Sequence, residues 1–173
     1  EAGLVPIVEP EVLMDGDHSI DVCQSVTERT LACVFDQLYR HNVRLEATVL
    51  KPNMVVAGNA CSQQPDITEV ADRTLETLRR HVPSAIPGIA FLSGGQSEED
   101  ATAHLNAMNA QGPQPWELTF SYGRALQQST LQAWKGSPDN VAVAQRTFLH
   151  RARMNSLART GAYAADLERE LAA

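Results

Sequence analysis

Four apolar, β-preferring runs recur along the chain, and each gives way to a segment with helical periodicity. "LVPIVEPEVL" reads as a buried strand ending near Glu11, with Val5, Ile7, Glu9 and Glu11 on one side by the period of two. After the turn "DGDHS" the spacing changes. Val22, Val26, Thr30, Val34 and Leu38 fall every fourth residue, with Leu31 and Phe35 beside the stripe, which predicts a helix from about Ile20 to His41–Asn42. "RLEATVLK", Arg44 to Lys51, is the second strand. Asp66-x-x-Glu69 opens the next helix as a capping-box-like signal, and its apolar face is Ile67, Val70, Ala71, Thr74, Leu75 and Leu78. "GIAFLS", Gly88 to Ser93, is the third strand, and Ser97-x-x-Asp100 caps a helix with Ala101, Leu105 and Met108 inward. "WELTFSY", Trp116 to Tyr122, is the fourth. Helices over Ala125–Trp134, Asn140–Ser156 and near Ala164–Leu171 complete the chain.

Strands that alternate with helices pair in parallel, because each crossover is a helix. The fold class is therefore α/β. The 173 residues suit one domain, with no linker or low-complexity tract. Four such units form either an open doubly wound sheet or half of an eight-stranded barrel, which typically needs about 250 residues.

The formal net charge of -7 gives no support for binding nucleic acid or an anionic membrane through overall charge. Cys23, Cys33 and Cys61 are odd in number and widely spaced, unlike a disulfide framework or a zinc site, which favours a reducing, cytoplasmic compartment. His18, His41, His81, His104 and His150 are scattered without ligand spacing. No apolar run approaches the roughly 20 residues that span a bilayer. The opening "EAGLVPIVEPE" has acids and prolines where a signal peptide needs basic then apolar residues, and the lack of an initiator Met suggests a fragment or processed product.

In parallel α/β folds the chemistry gathers at the carboxyl ends of strands. Here those ends carry Glu9 and Glu11, Lys51, "SGGQS" and "SYGR". Taken alone, a strand-end lysine is most simply one that snorkels to the rim. A neutral lysine amine, however, attacks carbonyls and forms Schiff bases. Two acids beside it can divide the roles of acid and base, although a salt-bridged rim explains an isolated pair equally well. The glycines of "SGGQS" let backbone N–H groups approach an anion at a helix start, and Arg124 of "SYGR" offers a fork for phosphate oxygens. An ordinary turn and a surface salt bridge are the plain alternatives. Trp116, Trp134 and the helical stripes read as packing, and the tail "DLERELAA" reads as a solvated helix face.

"GLVPIVEPEVL", "DGDH", "LKPNMV", "FLSGGQSEE" and "LTFSYGRALQ" together resemble class I fructose-bisphosphate aldolases, in order and with near-family spacing from Gly3 to about Tyr163. The resemblance implies a TIM (β/α)8 barrel, of which this chain supplies the last four βα units plus C-terminal helices. Residues 1–173 would be a single partial domain, the carboxyl-terminal half of such a barrel. It implies reversible cleavage of fructose 1,6-bisphosphate to dihydroxyacetone phosphate and glyceraldehyde 3-phosphate, without metal or cofactor. Residue by residue, it makes Lys51 the Schiff-base lysine, Glu9 the proton-transfer acid and Glu11 a supporting carboxylate. Ser93, Gly94, Gly123 and Arg124 would bind a substrate phosphate.

The family's first four strands supply an aspartate, further lysines and an arginine that no segment here could hold. The family chain also ends in a tyrosine that assists proton transfer, whereas this one ends in "ELAA" and its Tyr163 matches an internal position. The expected partners are a sugar phosphate and further copies in a tetramer. The alternatives are a non-catalytic fragment acting as a phosphate-binding or interaction module, and another Schiff-base lyase on the same architecture. A half-barrel leaves strand edges and an inner face uncovered, so this segment alone should be unstable, self-associate or need a complementary half.

Overall fold

The computed structural model describes residues 2–172, with side chains through Arg169. Its four strands are β1 (Ile7–Val8), β2 (Val49–Leu50), β3 (Gly88–Phe91) and β4 (Glu117–Phe120). They form one parallel sheet in the order β1-β2-β3-β4. The helices are α1 (Ile20–Arg40), α2 (Ile67–His81), α3 (Glu98–Ala110), α4 (Arg124–Trp134) and α5 (Val141–Ala158), followed by a 3-10 segment, Ala165–Ala172. Helices α1 to α4 pack side by side in sequence order, and so form one layer on one face of the sheet. A doubly wound sheet reverses its strand order and covers both faces. The sequential order seen here is the barrel alternative.

The core lies between sheet and helices. Leu50, Ile89, Phe91 and Leu118 point outward from the strands and meet Leu31, Val70, Leu75, Leu78, Ala101, Leu105 and Met108, all buried. The caps expected for α2 and α3 are formed. Asp66 accepts from the Glu69 N–H at 2.8 Å, and Ser97 Oγ accepts from the Asp100 N–H at 3.0 Å. Helix α1 ends as expected, with Asn42 in the left-handed region at φ 52.

Four expectations change. The strands are shorter than their apolar runs. Leu45–Ala47 is a 3-10 turn, closed by the Thr48 hydroxyl donating to the Arg44 carbonyl, so β2 begins only at Val49. The first run is not buried: Val5 and Ile7 are 66% and 58% exposed, because β1 is an edge and its inner face is open. The stripe that packs α1 on the sheet is Ile20, Cys23, Thr27 and Leu31, with Gln24 beside it. Val26, Val34 and Leu38 instead line a groove of about 590 Å³ with Val8 and Cys33 on the open flank. At the other end of the helical layer, Trp134 is also partly open, in an apolar groove with Val141 and Phe148. Trp116, by contrast, is buried, and its indole N–H donates to the Pro83 carbonyl at 3.0 Å. Among the described residues no helix is long and apolar enough to cross a membrane.

Candidate active site

All the candidate residues sit at the carboxyl ends of the strands. Lys51 directly follows β2, and its N–H donates to the Val8 carbonyl at 2.7 Å, the last backbone bond of the β1–β2 ladder. The next ladder donor on the β1 side would be residue 10, which is proline and has no N–H. The chain segments separate there. Glu9 keeps its strand direction and reaches Lys51 Nζ with Oε1 at 2.9 Å. The Lys51 side chain is 19% exposed although the inner face of the sheet is open. Glu11 lies past Pro10, is exposed, and makes no ion pair with a described residue. The two acids expected to work together are thus separated, with Glu9 alone on the lysine.

Beyond Pro10 the segment is held by a side chain that sequence reasoning did not single out. Asn53 is buried, and its Oδ1 accepts from the Val12 N–H at 3.0 Å. Its Nδ2 donates to Thr27 Oγ1 at 3.2 Å and to the Met54 carbonyl at 3.0 Å. Further along, the N–H groups of Gly58, Asn59 and Ala60 donate to the carbonyls of His18, Met14 and Gly16 at 2.9, 2.8 and 2.8 Å. The two loops are therefore clasped backbone to backbone. A Cβ on Gly58 would fall 2.3 Å from the Gly16 carbonyl oxygen, so only glycine permits this approach. Gly58→Ala is expected to destabilise the fold by about 1–3 kcal/mol, the usual cost of overpacking a closed site. Thermal denaturation measures it, and an unchanged midpoint would show that the loops part without penalty.

The other two strand ends converge as well. Ser93 is buried, and its carbonyl accepts from both the N–H and the side-chain Nε2 of Gln96 at 3.0 Å. Since Nε2 donates there, Oε1 faces His104 as an acceptor, and Nδ1 of His104 must carry the proton in that 2.6 Å bond. Burial pushes His104 down to about 4, against the pull of Asp100, so it is a neutral brace at pH 7. Gly94 and Gly95 adopt φ 56 and φ 88, and Met14 packs beneath both. Arg124 Nη2 lies 3.7 Å from the position a Gly95 Cβ would occupy, which joins "SYGR" to "SGGQ". Gly123 is the N-cap of α4 and has no side-chain cap bond; the Leu126 N–H donates to the Gly123 carbonyl at 3.1 Å, which leaves the N–H groups of Arg124 and Ala125 for an anion. Tyr122 is a brace: its hydroxyl donates to the Ala101 carbonyl in α3 at 2.9 Å.

Helices in one layer, strands in sequential parallel order and polar groups at the strand ends define half of an eight-stranded α/β barrel. The family model "Fructose-bisphosphate aldolase class-I" matches residues 1–173. A fructose-bisphosphate aldolase of Plasmodium falciparum (isolate K1 / Thailand) is 57% identical over 160 residues, covering 92% of this chain and 44% of that protein. Fructose-bisphosphate aldolase B of Gallus gallus is 59% identical over 162 residues, 93% of this chain and 44% of that protein. The crystal structure of the P. falciparum aldolase in complex with TRAP and a small-molecule inhibitor superposes with a TM-score of 0.91. It is 56% identical, over 94% of this chain and 47% of that one. The chain belongs to the class I fructose-bisphosphate aldolase family. It spans less than half the length of these relatives, and its sheet is the corresponding part of their barrel.

Proposed function

We propose that this chain forms the carboxyl-terminal half of a fructose 1,6-bisphosphate aldolase and carries its Schiff-base lysine. The Lys51 Nζ–Glu9 Oε1 contact of 2.9 Å supports this reading most directly, because it puts a proton acceptor on a shielded amine. The amine, once it has given up its proton, attacks the C2 carbonyl of the ketose. Water leaves and an iminium forms. The C3–C4 bond then cleaves, its electrons move into the enamine, and glyceraldehyde 3-phosphate departs. Protonation of the enamine and hydrolysis of the iminium release dihydroxyacetone phosphate and free Lys51. Glu9 moves the protons and Glu11 supports the lysine's surroundings in the complete barrel. Ser93, Gly94, Gly123 and Arg124 hold a substrate phosphate.

The upstream half of the barrel would supply the remaining cations of the site. The open flank of α1 and the exposed inner side of β1 are where it would dock. The assembled enzyme is proposed to be a cytoplasmic, glycolytic homotetramer that uses neither metal nor cofactor.

Borohydride trapping tests the reading. Incubation with dihydroxyacetone phosphate, reduction and peptide mapping should place one adduct on Lys51. The sequence contains only one other lysine, exposed Lys135, so the assignment is unambiguous. A folded chain that yields no adduct would favour the non-catalytic, phosphate-binding reading. In the same assay Arg124→Ala should raise the concentration of dihydroxyacetone phosphate needed for half-maximal trapping by on the order of tenfold, for loss of a charge-assisted bond. An unmoved midpoint would remove Arg124 from the phosphate site.

A further inference from the structure

We infer that Asn53 is a positioning residue that sets the contact between Glu9 and Lys51. The inference rests on the Schiff-base reading for its functional meaning, while the geometry stands on its own. The β1–β2 ladder ends where its next donor is Pro10, so no backbone bond fixes the Glu9–Val12 segment against the lysine-bearing one. The Asn53 side chain fills that place. It stands two residues beyond Lys51, accepts from Val12 three residues beyond Glu9, and is itself held by Thr27 of α1 and by its neighbour's carbonyl. Glu9 and Lys51 are thereby bracketed between the last backbone bond, Lys51 N–H to Val8, and the first side-chain bond, Val12 N–H to Asn53. Both bonds join the same two chain segments. The backbone that carries the acid or the lysine cannot shift away from its partner segment without straining one of them.

A buried amide with both ends engaged is costly to disrupt, which alone would make Asn53 structural. A positioning role adds something a structural role does not: the environment of one particular amine must change when the amide is lost. The two lysines make this measurable. Trace acylation of the folded chain with acetic anhydride, read by mass spectrometry, gives the labelling ratio of Lys51 to Lys135. Exposed Lys135 serves as the internal reference.

In the wild-type chain the ratio is expected to be low, since Lys51 is shielded and paired with Glu9. Asn53→Ala frees the Val12 N–H, loosens the Glu9 segment and should raise the ratio on the order of three- to tenfold. Asn53→Asp retains an acceptor for Val12 and should keep the ratio at or below the wild-type value. Asn155→Ala, which removes another buried amide in the α3–α5 contact, should lower the melting midpoint without moving the ratio. An unchanged ratio in Asn53→Ala would overturn the inference, and so would an equal rise in Asn155→Ala. Neither outcome depends on turnover. Absence of a dihydroxyacetone phosphate adduct on the wild-type chain would instead count against the Schiff-base reading and leave the labelling result intact.

Discussion

Lys51→Arg is expected to abolish the borohydride-stable adduct with dihydroxyacetone phosphate completely, with the fold preserved. Arginine keeps the positive charge and the length needed to reach Glu9, so the ion pair at the end of β2 can persist. It cannot offer a neutral amine, because its guanidinium stays protonated across the accessible pH range. The pairing and the chemistry are thus separated by one substitution. Glu9→Gln makes the complementary separation: the amine remains, but the group placed to take its proton is gone. There the adduct should still form, with its rate lowered by about 10²–10⁴-fold, the usual loss for a positioned acid or base. Quenching at timed intervals distinguishes the two variants. An adduct that survives in Lys51→Arg would have to reside on another amine, such as that of Lys135, and would remove Lys51 from the reaction.

What the sequence made legible and what it hid follow from the range of the interactions. Local signals were reliable. The caps at Asp66 and Ser97 form because a short polar side chain there meets N–H groups three residues on. The lysine at the end of β2 and the glycine turns after β3 and β4 were visible as breaks in apolar runs. The stripe on α1 misled because this helix carries two apolar faces, one for the sheet and one on the open flank. The branched aliphatic residues Val22, Val26 and Val34 form the more regular apolar stripe, yet Cys23 and Thr27 lie against the sheet. Strand ends were overestimated because Pro10 stops the ladder, while side-chain alternation continues past it. Asn53, Met14 and Gly58 were not legible, since Asn53 and Gly58 act through partners about 40 residues away in sequence and Met14 packs under Gly94 and Gly95, about 80 residues away.

The tail expected to be a solvated helix face is instead a 3-10 segment whose Glu168 joins a buried ionic cluster behind the "SGGQS" turn, formed by partners distant in sequence. Glu168 accepts from Arg151 Nη1, from His150 Nε2 at 2.9 Å and from the Tyr163 hydroxyl at 3.0 Å. Arg151 is 4% exposed, and its Nη2 donates to the Glu98 carbonyl at 3.0 Å and to Thr102 Oγ1 at 2.7 Å, in the first turns of α3. That helix begins directly after the "SGGQS" turn. Its Nε finds no acceptor among the described residues, so Glu168 is the carboxylate on which this buried cation depends. Glu168→Gln should therefore cost about 3–5 kcal/mol, the consequence of leaving a buried charge without its counter-ion. For a chain of this length that is a fall of roughly 6–20 °C in the melting midpoint.

Arg151→Met combined with Glu168→Gln removes the stranded charge and should recover much of the loss. Acid should reproduce the single variant. Burial pushes the Glu168 carboxyl upward, but the bonds from Arg151 and His150 and the Arg151 charge outweigh it and hold the carboxyl below its ordinary 4.5. Its contribution to stability is then fully present above pH 4.5 and is lost as pH falls through the lower folded value. The gap in melting midpoint between wild type and Glu168→Gln should accordingly narrow below pH 4.5. A gap that stays constant from neutral to strongly acidic pH would mean that Glu168 stabilises the chain by packing alone. Arg151 would then owe its place to Glu98 and Thr102.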